Sequence, residues 1–96
     1  SWYRPRWSPD GRTLAAAVLR DGIWRVALVD AASGAERAPF AQGDSVNRYD
    51  ASFTPDGRAL VYVSEASGIP NVERVDLASG TITPVTRVLG AATSPE

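Results

Sequence analysis

One pattern occurs twice in this chain, as Trp7-Ser8-Pro9-Asp10-Gly11-Arg12 and as Phe53-Thr54-Pro55-Asp56-Gly57-Arg58, and a third copy begins at Thr93-Ser94-Pro95-Glu96. From Ser8 to Thr54 the offset is 54 − 8 = 46. The same offset pairs Tyr3 with Tyr49, Leu14 with Leu60, Gly22 with Gly68, Val26 with Val72, Asp30 with Asp76 and Gly34 with Gly80. No insertion is needed between Tyr3 and Gly34. The next interval, from Thr54 to Ser94, is 94 − 54 = 40, so the loop after Gly34 is the longer one. A period of roughly 40–50 residues with several short strands per unit is the pattern of propeller blades. A two-helix repeat of similar length is the rival. Closely spaced Pro, Gly and Asp at fixed positions in each unit argue against it, because they break helices.

Each unit reads as four strands. Trp2 to Trp7 is the first, with Pro5 placed where no ladder hydrogen bond is lost. Arg4 and Arg6 stand among three aromatics, an arrangement that could stack single-stranded nucleic acid. The better reading is an inner strand whose rings pack between neighbouring blades, since no broad basic surface accompanies it. Ser8-Pro9-Asp10-Gly11 fits a type I turn, and Asp10 and Asp56 are turn residues rather than metal ligands. Leu14 to Leu19 is the second strand. Its alanine run is ambiguous alone, but the twin Leu60-Val61-Tyr62-Val63-Ser64 is rich in β formers. Third strands run from Ile23 to Val29 and from Val72 to Val75. Fourth strands run from Glu36 to Phe40 and from Thr81 to Thr86, on the outside because they are short, polar or proline-bearing.

The residues that are missing exclude much chemistry. The chain has no Cys and no His, and all ten of its basic residues are Arg. Thiol nucleophiles, thiolate or imidazole metal sites, Ser-His catalysis, Schiff bases and a P-loop lysine are all ruled out for this stretch. Ser33 and Ser79 recur in the loops after the third strands, with no base available to activate them. No catalytic, cofactor or metal-binding residue is assigned. A net charge of −1 argues against a nucleic-acid partner. No apolar run is long enough for a signal-peptide core or a membrane helix, so direct membrane insertion is not expected. With no Met present, Ser1 is not a natural start, and both ends are expected to be cuts from a longer chain.

The non-repeating polar residues are the candidates for contact with a partner protein. They are Gln42, Asp44, Asn47, Arg48 and Asp50 in the linker from Ala41 to Asp50, with Arg20 and Asp21 in a turn. A solvated loop is the plainer reading of the same linker.

Aromatic-Ser/Thr-Pro-Asp-Gly-Arg, then an apolar strand, a Gly, and Val-Asp-x-x-Ser-Gly together resemble the WD-repeat-like blade of the TolB family. The propeller of prolyl oligopeptidase-type enzymes is similar. Ser67-Gly68-Ile69-Pro70-Asn71-Val72 and Val85-Thr86-Arg87-Val88-Leu89-Gly90 carry the likeness further. Ala27 and Glu73 depart from it, standing where an aromatic usually follows the third-strand aliphatic. The resemblance implies an all-β fold, a β-propeller fragment of about two antiparallel four-stranded blades. Residues 1–43 would form one blade, 44–87 a second, and 88–96 the start of a truncated third. It also implies a non-catalytic scaffold in the bacterial envelope, periplasmic, contacting other envelope proteins and the remaining blades of the same chain. The alternative is part of the substrate-gating propeller of a prolyl oligopeptidase-type serine hydrolase.

Overall fold

A computed structural model of the chain describes residues 2–40, 42 and 45–85. Eight strands follow one another: β1 (Trp2–Trp7), β2 (Thr13–Arg20), β3 (Ile23–Asp30), β4 (Glu36–Arg37), β5 (Arg48–Phe53), β6 (Ala59–Ser64), β7 (Asn71–Asp76) and β8 (Ile82–Pro84). They form two four-stranded sheets, ordered β1-β2-β3-β4 and β5-β6-β7-β8, and every pairing is antiparallel. Each sheet is thus a meander of consecutive strands, as a propeller blade requires.

The turns follow from their residues. Gly11 N–H donates to the Ser8 carbonyl at 2.9 Å, and Gly57 N–H to that of Thr54 at 2.8 Å. Both glycines have φ +73°, which a Cβ would strain. Asp10 closes the turn by accepting the Ser8 hydroxyl at 2.6 Å and the Arg12 N–H at 3.0 Å, and Asp56 repeats both bonds with Thr54 and Arg58. Arg20-Asp21-Gly22-Ile23 is a two-residue hairpin in which Asp21 has φ 53° and Gly22 φ 79°, the positive pair a type I′ turn needs.

Pro5 does fall where no bond is lost. The β1–β2 register shifts between Tyr3 and Arg6, and the β5–β6 register shifts at the matching place, between Tyr49 and Ser52. The first residue of each bulge is left-handed, Arg4 at φ 49° and Asp50 at φ 56°.

The core lies between the sheets. Ala15, Val26 and Leu28 of the first sheet and Ala51, Leu60, Tyr62 and Val75 of the second form one buried cluster, with Phe40, Phe53 and Leu77 packed against it. Ala15 pairs with Leu28, and Ala17 with Val26, so these side chains share one face of the first sheet. Leu60 pairs with Val75 on the facing side of the second. Trp7 is 58% exposed, although its ring was expected between blades. It pairs with Leu14 on the opposite face of the first sheet, where no sheet is packed among the described residues. Phe53, its counterpart, lies against the core because a sheet is there.

The fourth strands are shorter than the sequence implied. β4 ends at Arg37 and not at Phe40, because Pro39 has no N–H to continue the ladder and Phe40 turns inward. Its ring stacks on Tyr62 at 5.3 Å between centroids. β8 covers only Ile82–Pro84, and Thr86 lies outside the described residues. The linker also ends sooner, since Arg48 and Asp50 belong to β5. The proposed start of a third blade, 88–96, lies outside the described residues.

Candidate functional site at the rim between the two sheets

Where β4 stops, side chains take over its work. The Gln42 amide accepts the Val26 N–H at 2.9 Å and donates to the Val26 carbonyl at 2.8 Å, as a strand neighbour would. The Gln42 carbonyl accepts from the Arg25 guanidinium. Asn47 Oδ1 then accepts the Trp24 N–H at 2.9 Å. Two of the expected contact residues therefore bind the linker to β3.

Asn47 also helps to build a cleft on this rim. Its side-chain amide donates to Glu65 at 3.3 Å, while Tyr49 O–H donates to the other Glu65 oxygen at 2.8 Å. The Glu65 N–H returns a bond to the Asn47 carbonyl at 3.1 Å. Trp24, Asn47, Tyr49, Asp50 and Glu65 line a cleft of about 350 Å³ between the start of β3, the start of β5 and the β6–β7 turn. The bond to Glu65 holds the Tyr49 phenol above its ordinary pKa, with burial and the negative charges of Glu65 and Asp50 adding to the effect. Across from this cleft, Arg4 Nη1 donates to Asp50 Oδ1 at 3.3 Å, joining the two bulges.

The other expected residues are dispersed. Arg20 pairs with Glu36 at 2.7 Å and shares a cleft of about 170 Å³ with Gln42 at the outer edge of the first sheet. Asp21 is exposed on its turn. Asp44 lies outside the described residues. Arg48 is only 7% exposed, although it was expected on the polar linker. Its guanidinium carbon sits 5.4 Å from the centre of the Phe40 ring. Beneath Phe40, Tyr62 O–H donates to Glu73 at 3.0 Å, and burial followed by that bond drives the Tyr62 phenol well above its usual pKa. Glu73, a departure from the family pattern, thus satisfies a buried hydroxyl.

Trp24, Tyr49 and Glu65 were missed by sequence reasoning. The repeat gave no signal for Glu65: at an offset of 65 − 19 = 46 it replaces Leu19, but Ser64, Ala66 and Ser67 replace Val18, Arg20 and Asp21 as well.

On the opposite rim the repeated polar side chains bond their own loops. Asp30 accepts the N–H groups of Ala32 and Ser33 at 2.9 and 3.0 Å, and Asp76 does the same for Ala78 and Ser79 at 3.0 and 3.1 Å. The Ser33 hydroxyl accepts the Ala35 N–H at 3.2 Å and the Ser79 hydroxyl bonds Thr81 at 3.0 Å, so both serve their loops.

Solved structures share this architecture. That of a putative TolB from Agrobacterium tumefaciens matches with TM-score 0.73 at 23% identity, over 91% of this chain and 30% of that one. TolB from Acinetobacter baumannii matches with TM-score 0.73 at 25% identity, over 86% and 20%. Puromycin hydrolase matches with TM-score 0.74 at 24% identity, over 92% and 14%. The chain therefore spans less than a third of each of these proteins. No protein-family model and no curated protein sequence matches it. The resemblance first carried by the Pro-Asp-Gly motif holds in three dimensions: the fold is that of two blades of a β-propeller like those of TolB and puromycin hydrolase.

Proposed function

We propose that the chain is a non-catalytic scaffold that receives a partner protein in the rim cleft between its blades. The cleft itself is the observation that carries this reading. Trp24 and Tyr49 supply flat apolar surface, Asn47 an amide, and Asp50 and Glu65 negative charge, all in one concavity. Such a mixture suits a protruding side chain that is cationic or rich in donors. The anchoring of Glu65 by Asn47 and Tyr49 fixes its carboxylate before any partner arrives, which lowers the entropy lost on binding. The likeness to TolB supports an envelope protein as the partner and the periplasm as the place.

The match to puromycin hydrolase gives the second reading its footing, in which these blades belong to a substrate-gating propeller fused to a serine hydrolase. Photo-crosslinking in the native host separates the two. A crosslinker placed at Trp24 or Asp21 is expected to trap another protein, and one placed at Asp10 or Asp56 is not. Trapping of the chain's own hydrolase domain from the rim positions, or hydrolysis of peptide substrates by the purified chain, would defeat the scaffold.

A further inference from the structure

The chain contains three Asp-Gly pairs, Asp10-Gly11, Asp21-Gly22 and Asp56-Gly57. In such a pair the glycine nitrogen is unshielded, because its residue has no Cβ. That nitrogen is placed to attack the Asp Cγ and close a five-membered ring. The structure holds two of the pairs against this attack and leaves the third open to it. Asp10 Oδ1 accepts the Ser8 hydroxyl at 2.6 Å and the Arg12 N–H at 3.0 Å, so its carboxylate is fixed toward residue 12 and not toward the nitrogen of Gly11. Asp56 is fixed in the same way by Thr54 and Arg58, at 2.6 and 3.0 Å. The nitrogens are engaged too, since the Gly11 and Gly57 N–H groups donate to the Ser8 and Thr54 carbonyls at 2.9 and 2.8 Å. The bonds to the carboxylates, those from the hydroxyls foremost, hold both groups below their ordinary pKa and so deplete the neutral carboxyl that ring closure needs.

Asp21-Gly22 has none of these restraints. Both residues are exposed, at the tip of a two-residue turn between paired Arg20 and Ile23. Among the described residues nothing donates to the Asp21 carboxylate, and the Gly22 N–H meets no acceptor. A Cβ built on Gly22 would meet none of their atoms within 4 Å beyond its chain neighbours. Turn tips with so few contacts are also where local opening costs least.

We propose that Asp21 is a modification site, at which the chain rearranges spontaneously to isoaspartate. The Gly22 nitrogen bonds to Asp21 Cγ and gives up its proton, the carboxyl loses its hydroxyl, and one water leaves. Water then adds to either carbonyl of the ring. Opening at Cγ restores Asp21. Opening at the α-carbonyl routes the main chain through Cβ and Cγ, with no net change in composition and no other reagent. The product has one more main-chain atom, so the turn no longer sets Arg20 opposite Ile23. Trp24 comes next in the chain, and through it the rearrangement reaches the rim cleft. The chemistry itself does not depend on what that cleft binds.

The test follows the full-length protein, kept folded and warm at neutral pH, by peptide mapping with isoaspartyl methyltransferase labelling. Cleavage after arginine places the three pairs in different peptides. Isoaspartate is expected to build up at Asp21 about tenfold faster than at Asp10 or Asp56, the factor that one ordinary hydrogen bond on the carboxyl is worth. In denaturant the three rates are expected to converge. Ser8→Ala releases Asp10 and is expected to raise its rate in the folded protein while that of Asp56 stays unchanged. Thr54→Val does the same for Asp56, and serves if the first variant does not fold. Equal rates in the folded protein overturn the proposal. So does a faster rate at Asp10 or Asp56, a difference that persists in denaturant, or a folded variant whose released carboxylate reacts no faster.

Discussion

The two sheets share their Pro-Asp-Gly turns and their strand register, yet their second strands differ in residue type. β2 has Ala15, Ala16 and Ala17 where β6 has Val61, Tyr62 and Val63. β6 reads as a strand by residue type alone, and β2 does not. Ala15 suffices in β2 because the adjoining sheet brings Tyr62 into the same buried cluster, with Phe40 packed against it, and a larger side chain would overfill the space. Burial likewise follows neighbours. Leu60 is fully buried and Leu14 only half-buried, although they hold the same position. What a residue contributes in this fold is set by whether a sheet lies opposite it.

The sharpest way to break that comparison is truncation of the matched leucines. Leu60→Ala is expected to lower stability by about 2–5 kcal/mol, whereas Leu14→Ala, measured by chemical unfolding at concentrations where the chain is monomeric, should cost roughly half of that or less. Equal losses would mean that the neighbouring sheet does not decide the cost.

The next effect belongs to the edge of β3. Gln42→Ala strands the N–H and carbonyl of Val26, at a cost of about 1–3 kcal/mol, and should speed hydrogen exchange at the Val26 amide. In the second sheet the equivalent carbonyl, that of Val72, takes the backbone N–H of Val85 at 2.9 Å. Val85→Ala should therefore leave exchange in β7 almost unchanged.

Acid sharpens the comparison of turns. Hydrogen bonds from Ser8 and Thr54, then from backbone N–H groups, hold Asp10 and Asp56 below the ordinary value of 3.8. A carboxyl with a lowered folded pKa stabilises when ionised, so its contribution is present above the unfolded value and is lost as pH falls through the folded one. Asp10→Asn and Asp56→Asn are each expected to flatten the acid limb of a stability–pH curve below about pH 4, by similar amounts. Unequal flattening would show that the turns are not independent local units.

The smallest effect joins the sheets directly. Arg4 and Asp50 hold one repeat position and pair at 3.3 Å, with side chains 54% and 34% exposed. A double-mutant cycle should give about 0–1 kcal/mol and should fade with added salt. A larger, salt-insensitive coupling would mean that the bulges are docked rigidly.

Most of the fold was legible because it is stated twice. Leu60 to Ser64 identified Leu14 to Leu19 as a strand, and the Pro-Asp-Gly turns fixed where strands ended. The fourth strands were not legible, because their extent depends on which β3 and β7 groups remain unpaired rather than on their own sequence. The candidate site was half legible. Asn47 and Asp50 were found as polar residues outside the repeat, and both line the cleft. Arg48 has the same credentials and is buried, since a long aliphatic stem and a planar guanidinium can pack on an aromatic ring. Trp24 and Tyr49 read as ordinary strand aromatics, and nothing local separates a ring that lines a cleft from one that fills a core.

The matched bulges, turns and ladders have a consequence for descent. Among the described residues every strand ladder closes within one sheet, and no strand is lent from one unit to the other. A stretch of 46 residues (54 − 8 = 46) could therefore be duplicated or deleted whole without orphaning a strand pairing. Only the facing side chains would need to adjust, through exchanges of small for large like Ala16 against Tyr62. Such a lineage can change its number of units in single genetic events and refine the fit afterwards, one methyl group at a time.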